Sequence, residues 1–292
     1  MAMKNINYSE LDKNLPADER KEWNAIYASC RSGSIITGTV QGVDFHTFDM
    51  KNPTTGEVKK QEMPCLIAIR YKVKIIIPQP EVWFEPREEP HLLRSMVGGK
   101  VEYVITHVDR ENEFAVASRK LALKRLRFAS RRLNPVGQTV DVKIVAVGKN
   151  VCTVSYNGYD ALLSQKDISY SIVGDLREVI SPGEVKTAVV TEWDPQTGTA
   201  AFSIKAATRH PFDGIEIRHP IGSVRVAAIN GKYNGGVYCR LFDGMTDILC
   251  TYDPLICDED FDTGNVVEIL IKKYNAEKKL AYGKILRKIR PA

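Results

Sequence analysis

The most concentrated chemistry in the sequence is a run of cations near its middle. Seven side chains between residues 119 and 132 are basic and none is acidic. They are Arg119, Lys120, Lys124, Arg125, Arg127, Arg131 and Arg132. Like charges at helical spacing destabilise an isolated helix by about 0.2–0.5 kcal/mol per pair, and a row of phosphates would relieve that repulsion. We therefore expect these residues to contact nucleic acid. The alternatives are a linker helix whose charges are only solvated, and binding to an anionic protein or lipid surface.

The element that must carry these cations is a helix. Leucine, alanine and phenylalanine occupy the positions between them, and an Asn-Pro pair follows, which stops a helix. Helical winding would place Lys124, Arg127 and Arg131 along one solvated face. We predict a basic helical linker over residues 119–134.

Side chains that could hold a metal or perform catalysis form no recognisable pattern. The six cysteines and five histidines show no CxxC or other short ligand spacing. The acidic stretch 257–264 lacks the spacing and closing glutamate of a calcium loop, and the glycines of 231–236 lack the Gly-Lys-Ser/Thr ending of a phosphate-binding loop. We expect no metal, no cofactor and no catalytic residue, and hence not an enzyme.

The composition is that of a folded protein. Hydrophobic residues make up 43% of the 292 residues and charged residues 26%, which excludes wholesale disorder. The sequence has no run of about 18 apolar residues and no signal-peptide pattern, so we expect a cytoplasmic protein without membrane contact. The formal net charge is +5; because residues 119–132 contribute +7, the remainder sums to −2.

One strand–turn–strand pattern occurs three times. Each copy opens with Gly-x-Val, 84 and then 81 residues apart, at Gly99, Gly183 and Gly264. Alternating apolar residues follow, then a turn led by Asp or Asn, then a second alternating stretch that ends in a basic residue. The turn-leading residues are Asp109, Asp194 and Asn275. Asp and Asn bond their own backbone in turns, so each copy predicts a β-hairpin.

Three short strands precede each hairpin, with a helical or irregular insert between the third and fourth strands. Five short strands and one insert are typical of a small Greek-key barrel. The sequence therefore predicts an all-β fold of three tandem five-stranded OB-fold barrels, with an N-terminal helix and the basic helical linker. The predicted segments are 1–32 (helical), 33–118 (repeat one, with a long insertion at 44–63), 119–134 (linker), 135–206 (repeat two), 207–219 (linker) and 220–292 (repeat three).

The N-terminal helix is predicted from an amphipathic pattern that begins at Pro16. Trp23, Ile26 and Tyr27 form its apolar stripe. We expect this stripe to pack on the first barrel; docking of a partner protein is the alternative.

The repeated pattern resembles the S1 RNA-binding domain family over residues 33–290. That resemblance implies that single-stranded RNA lies on a barrel face formed by the second and third strands, with an aromatic residue on the second and a histidine ending the third. Tyr238 matches the aromatic position, but Cys250 stands in place of the histidine. The corresponding residues are Val151 and Ser164 in repeat two, and Cys65 or Leu66 with Ile77 in repeat one.

Cations interleaved with tyrosines around the implied face could replace the missing pair, because rings stack on unpaired bases while cations hold phosphates. In repeat one they are Arg70, Tyr71, Lys72 and Lys74. In repeat two they are Lys143, Lys149, Tyr156, Tyr159 and Lys166. In repeat three they are Arg225, Lys232, Tyr233, Tyr238, Arg240 and Tyr252. Half-buried packing is the alternative for each tyrosine; repeat three is the favoured binding face.

The sequence thus predicts a cytoplasmic, monomeric, non-enzymatic protein that binds single-stranded RNA such as mRNA, acts in translation or mRNA handling and contacts the ribosome. Two alternatives remain open. One is an interaction scaffold that docks on the ribosome or RNA polymerase, and the other is a single-stranded DNA-binding protein.

Overall fold

The computed structural model describes residues 16–51, 58–70, 73–85, 90–171, 173–233, 236–252 and 261–289. The chain forms two compact units. The first comprises Met1–Ser164 and Gly174–Ser203, and the second comprises Gln165–Val173 and Ile204–Ala292. Among the described residues, no helix has the length and apolar character needed to cross a membrane.

The first element is helix α1 (Ala17–Ser32), which packs on the first sheet as its apolar stripe predicts. Trp23, Ile26 and Tyr27 are all buried. The helix ends at Gly33, whose φ of 67° is in the left-handed region that favours glycine, and whose N–H donates to the Ser29 carbonyl at 2.7 Å.

The first sheet is a closed barrel with the strand order β1-β2-β3-β5-β4. Its strands are β1 (Ile36–Lys51), β2 (Val58–Arg70), β3 (Val73–Pro78), β4 (Lys100–Asp109) and β5 (Phe114–Ser118). A short 3₁₀ turn (Gln79–Glu81) and helix α2 (Pro90–Arg94) form the insert between the third and fourth strands. The described residues of the insertion, 44–51 and 58–63, continue β1 and β2, whose ladder there runs from Asp44↔Cys65 to Lys51↔Val58.

The predicted linker helix is present as α3 (Arg119–Ser130). Ser118 caps it, because its hydroxyl accepts a hydrogen bond from the Leu121 N–H at 3.0 Å.

The second sheet has the strand order β10-β9-β6-β7-β8. Its strands are β6 (Thr139–Val147), β7 (Val151–Tyr156), β8 (Tyr159–Ser164), β9 (Val185–Asp194) and β10 (Thr199–Ser203). Strands β8 and β10, both fully described, share no hydrogen-bonded ladder, so this sheet stays open where the other two close. Helix α4 (Gln165–Ile168) follows β8, and a 3₁₀ turn (Leu176–Glu178) precedes β9.

The third sheet is again a closed barrel, with the strand order β11-β12-β13-β15-β14. Its strands are β11 (Val224–Tyr233), β12 (Gly236–Leu241), β13 (Asp247–Thr251), β14 (Val266–Asn275) and β15 (Leu280–Lys288). Helices α5 (Ile204–Ala207) and α6 (Ile215–Arg218) precede it. Residues 165–173 and 204–219 belong to the compact unit around this barrel, although by sequence they fall in repeat two and at its junction with repeat three.

The three predicted hairpins are β4–β5, β9–β10 and β14–β15. Their turns close as the sequence predicts. Asp109 accepts the Asn112 N–H at 3.1 Å, and Asp194 accepts the Gln196 N–H at 2.8 Å. In the third hairpin the Asn275 side chain accepts the Lys278 N–H at 2.9 Å.

Candidate nucleic-acid interface

The outward face of the third barrel carries an aromatic–cation pair. Val237, Cys239 and Leu241 point into the core of the barrel, so Tyr238 and Arg240 between them point outward. Arg240 is held in place by Asp247 on the adjacent strand, with the Nε–Oδ1 distance at 3.0 Å.

Strand β15 extends this face with a residue that our sequence prediction missed. Tyr282 pairs with Leu249 of β13, and the Lys273 ammonium lies 5.1 Å from the centre of the Tyr282 ring. The period-two alternation of β15 places Lys284 on the same side as Tyr282, and this was a readable signal in the sequence.

Beside this face the second unit contains a groove of about 560 Å³. Four aromatic rings and three lysines are part of its lining, which is Tyr170, Ser171, Lys205, His210, Pro211, Phe212, Ile215, Tyr238, Met245, Thr246, Asp247, Lys278, Lys279, Leu280 and Ala281. Of these, Tyr238 alone was among the predicted binding residues. Tyr170, Lys205 and His210 were missed because nothing local in the sequence brings residues 165–173 to the third barrel.

The remaining predicted residues of repeat three are distributed differently. The Arg225 guanidinium donates to the Arg218 carbonyl at 3.3 Å, which occupies it within its own unit. Tyr252 is half-buried against Phe261, with ring centres 5.4 Å apart. Lys232 is exposed on β11. Tyr233 ends the same strand, but its side chain lies outside the described residues.

In repeat two the packing alternative holds for the tyrosines. Tyr159 is 1% exposed and its ring centre is 4.1 Å from that of Trp193. Tyr156 is half-buried and meets Trp193 and Phe202 edge-on, at 5.9 and 6.1 Å. The prediction that Tyr159 binds RNA is therefore wrong for this structure, because a base could not reach the ring without unpacking the sheet.

The lysines of repeat two differ in their surroundings. Lys143 forms an ion pair with Glu102 of β4. Lys149 and Lys166 are exposed.

Helix α3 does not present its whole cationic run to solvent. Arg119 is completely buried and forms a bidentate pair with Asp160, at 2.7 and 2.8 Å, while also donating to the Val82 carbonyl at 3.0 Å. Its predicted contact with nucleic acid is contradicted, because a buried, paired guanidinium cannot meet a phosphate. The pair instead joins α3 to β8 within the first unit.

Arg127 is also used for packing. Its guanidinium carbon lies 3.9 Å from the centre of the Phe84 ring and 4.9 Å from that of Tyr159, and its Nε donates to the Gly158 carbonyl at 2.8 Å. Cation–aromatic contacts of this kind are favourable when partly desolvated. The expected solvated row of Lys124, Arg127 and Arg131 is therefore interrupted at its centre.

The other cations of the run remain at the surface to different degrees. Arg125 donates to the Ser32 carbonyl at 3.0 Å, and Arg131 lies over the ring of Phe128 at 3.8 Å. Lys120 is half-buried, whereas Lys124 and Arg132 are exposed.

In repeat one the described cations are engaged in ion pairs. Arg70 meets Glu22 of α1 at 2.6 Å, and Lys74 meets Asp44 at 3.0 Å. Tyr71 and Lys72 lie outside the described residues.

Only some of the family's aromatic–histidine positions are in the barrel cores, because Val151 is 40% exposed and Tyr238 points outward. Leu66 pairs with Ile77 across β2 and β3, and both are buried, as is Cys65, the other candidate in repeat one. Cys250 is also buried, and a hydrogen bond with Cys239, together with burial, raises the pKa of its thiol. In repeat two, Val151 and Ser164 are cross-strand partners.

Among the described residues, no group of three or more His, Cys, Asp or Glu side chains converges in a way that could hold a metal ion. Cys65 lies near His46 and Asp44, but burial raises the pKa of its thiol to about 11, the opposite of what an activated nucleophile requires.

No known protein-family profile matches the chain. The small ribosomal subunit protein bS1 of Rickettsia typhi is 22% identical over 233 residues, which cover 78% of this chain and 37% of that protein. The chain is S1-like. The S1-like chain spans only about a third of the length of the curated relatives it matches.

Two other similarities of the S1-like chain concern different proteins. The 4-hydroxy-3-methylbut-2-enyl diphosphate reductase of Clostridium acetobutylicum is 22% identical over 210 residues, or 69% of this chain and 32% of that protein. A solved multidomain protein with nucleic acid binding domains from Streptococcus pneumoniae is 11% identical and covers 87% of this chain and 73% of its own. Its TM-score of 0.21 supports no conclusion about shared structure.

Proposed function

We propose that this S1-like chain is a non-enzymatic protein that binds single-stranded RNA, chiefly through the unit around the third barrel. The observation that carries the proposal is one surface that combines the outward Tyr238 with a groove lined by Lys205, Lys278 and Lys279. Rings that stack on unpaired bases and ammonium groups that follow phosphates are the two requirements for holding a single strand.

The three lysines set the size of the expected salt dependence. Each phosphate that a cation neutralises on a single strand lowers the slope of log affinity against log salt by about 0.7. Three such contacts give a slope of about −2, so affinity should fall roughly 20-fold between 50 and 200 mM salt.

The test is a fluorescence-anisotropy titration of the full chain with a labelled unstructured RNA and with DNA of the same sequence. We expect RNA to bind more tightly, with the salt dependence above, and the double variant K278E/K279E to bind weakly. Lys100→Glu is the matched control, because Lys100 is exposed in the other unit. Equal affinity for both oligomers would favour the single-stranded DNA alternative, and no RNA binding at 50 mM salt would refute the proposal.

We assign the protein to translation, in the cytoplasm, with mRNA as its RNA and the ribosome as its place of action. Support comes from the sequence similarity to bS1, which is a protein of the small ribosomal subunit. Sedimentation of the chain with ribosomes through a sucrose gradient tests the ribosome contact, and light scattering tests the expected monomer.

A second candidate function is docking on a protein, which a groove beside helix α3 favours. The groove has a volume of about 520 Å³ and is lined by Gly33, Ser34, Ile35, Leu121, Lys124, Arg125 and Phe128. Leu121 is 41% exposed and Phe128 67% exposed, which is unusual for large apolar side chains. With Lys124 and Arg125 beside them, the complementary partner is an acidic segment that carries an apolar anchor.

Two variants separate the candidates. If Phe128→Asp abolishes ribosome sedimentation while Tyr238→Ala leaves it intact, protein docking is the better account. The reverse result supports the RNA proposal.

A further inference from the structure

We infer that the groove of the second unit contains a dedicated subsite for one unstacked RNA nucleotide, built by residues that precede the third barrel in the chain. The base would lie against Tyr170 and His210, with its phosphate at Lys205. This inference rests on the proposed RNA-binding function and adds to it a specific place and a specific set of residues.

The first support is the geometry of the aromatic wall. The ring centres of Tyr170 and His210 are 4.2 Å apart and the ring planes are inclined by 53°. The Lys205 ammonium lies 4.5 Å from the centre of the Tyr170 ring. Both rings are half-buried, so the wall is partly ordered before a ligand arrives and loses less conformational entropy on binding.

The second support is the hydrogen-bonding state of His210. Its Nδ1 accepts the Phe212 N–H at 3.0 Å, so in the neutral ring the proton resides on Nε2, which can donate to an acceptor on a base. Burial, then the charges of Lys279 and Lys205, lower the pKa of His210 against the opposing effect of Asp213. The lowered pKa favours the neutral ring, which can stack as an uncharged aromatic.

The third support is that the wall is tied to the barrel. The Ser171 hydroxyl donates to the Met245 carbonyl at 3.2 Å, which fixes residues 165–171 to the loop between β12 and β13. On the other side, Phe212 meets Tyr274 of β14 edge-on at 6.1 Å. These contacts hold the wall in a fixed place relative to Tyr238.

The size and charge of the groove are compatible with a nucleotide at this subsite. Ligand sites typically enclose about 300–1,000 Å³, and the groove of about 560 Å³ lies within that range. Lys278 and Lys279 line it at the β14–β15 turn and can meet the neighbouring phosphates. One base at Tyr170 and His210 and another at Tyr238 would then belong to one continuous strand.

The experiment measures RNA affinity of full-length variants at fixed salt. Tyr170→Ala should weaken binding by about 5- to 150-fold, the range found when a stacked aromatic is removed. Tyr170→Phe keeps the ring and should stay within about twofold of the parent chain, while Lys205→Glu should weaken binding and flatten the salt slope by about 0.7.

Crosslinking gives a readout that does not depend on affinity. Irradiation of the complex with 4-thiouridine-substituted RNA, followed by mass spectrometry, should yield a nucleotide attached to a peptide that contains Tyr170 or His210. If Tyr170→Ala fails to fold, as judged by circular dichroism, the Tyr170→Phe and Lys205→Glu measurements and the crosslink still decide the question.

The outcomes separate this inference from the proposed function. If Tyr238→Ala and K278E/K279E weaken binding but Tyr170→Ala and Lys205→Glu do not, the subsite is wrong and the RNA-binding function stands. If the parent chain itself does not bind RNA, the proposed function fails and the subsite fails with it.

Discussion

The buried pair between Arg119 and Asp160 leads to a quantitative prediction about the first unit. In the variant Asp160→Ala the Arg119 guanidinium stays buried without a carboxylate beside it, because the pair it formed at 2.7 and 2.8 Å is gone and the Val82 carbonyl is neutral. Removing one member of a buried pair typically costs about 3–5 kcal/mol. For a unit of this size that corresponds to a fall in melting temperature of roughly 6–20 °C.

The assay is urea unfolding followed by tryptophan fluorescence. The three tryptophans of the chain, Trp23, Trp83 and Trp193, all lie in the first unit, so the signal reports on that unit alone. Trp83 is itself close to the pair, with its ring centre 5.4 Å from the guanidinium carbon of Arg119.

Two controls make the measurement decisive. Glu113→Gln removes the partner of Arg110 at a more exposed site and should cost less than about 1 kcal/mol. The double variant R119M/D160L replaces both charges with apolar side chains and should recover most of the lost stability. A loss below about 1 kcal/mol for Asp160→Ala would refute our reasoning about the buried charge.

Three further predictions concern other parts of the fold. Arg127→Ala should cost about 1–3 kcal/mol in urea unfolding, since it removes a stacked and hydrogen-bonded guanidinium, yet leave RNA affinity in anisotropy titrations within about twofold. Gly158→Ala should destabilise the first unit more than Gly137→Ala. Both glycines have positive φ, so an alanine at either site costs about 1–2 kcal/mol in backbone strain. A Cβ at Gly158 would in addition lie 2.5 Å from a carbonyl oxygen of α3, whereas no atom lies within 4 Å of a Cβ at Gly137. Partial burial alone would raise the pKa of Asp243, but hydrogen bonds from Thr246 and neighbouring N–H groups outweigh it and lower this pKa. The carboxylate therefore stabilises the fold at pH values above its unfolded pKa, and this stabilisation is lost as the pH falls through the folded pKa. Unfolding monitored by circular dichroism from pH 6 to pH 2 should show a smaller acid dependence for Asp243→Asn.

The hairpins were predictable because their signals are local. Alternation of apolar residues and an Asp or Asn at each turn depend on neighbours in the sequence, and the structure uses Asp109, Asp194 and Asn275 in that way. The polar insertion at 44–63 was visible as an insertion. Its described residues continue the β1–β2 ladder, which follows from cross-strand pairing that composition does not reveal.

The parts that escaped prediction depend on partners distant in sequence. Arg119 looked like any other member of a cationic run, and its burial depends on Asp160, which lies 41 residues away. Tyr170 and His210 belong to no local motif, because their rings come into contact although the two residues are 40 positions apart in the sequence. Helical periodicity finds the faces of α3 but not which face a neighbouring strand will cover.

The placement of residues 165–173 has a consequence for how this protein is made. Ser171 leaves the ribosome 74 residues ahead of Met245, whose carbonyl it binds. At about 5–20 residues per second, roughly 4–15 s of synthesis separate the two. During that interval residues 174–203 can complete the second sheet, while Tyr170 and its neighbours remain unpacked because the residues they pack against have not yet been synthesised. Slow codons between the second and third repeats would lengthen this exposure, and pulse-proteolysis of nascent chains would reveal it as a transient cleavage window around residue 170.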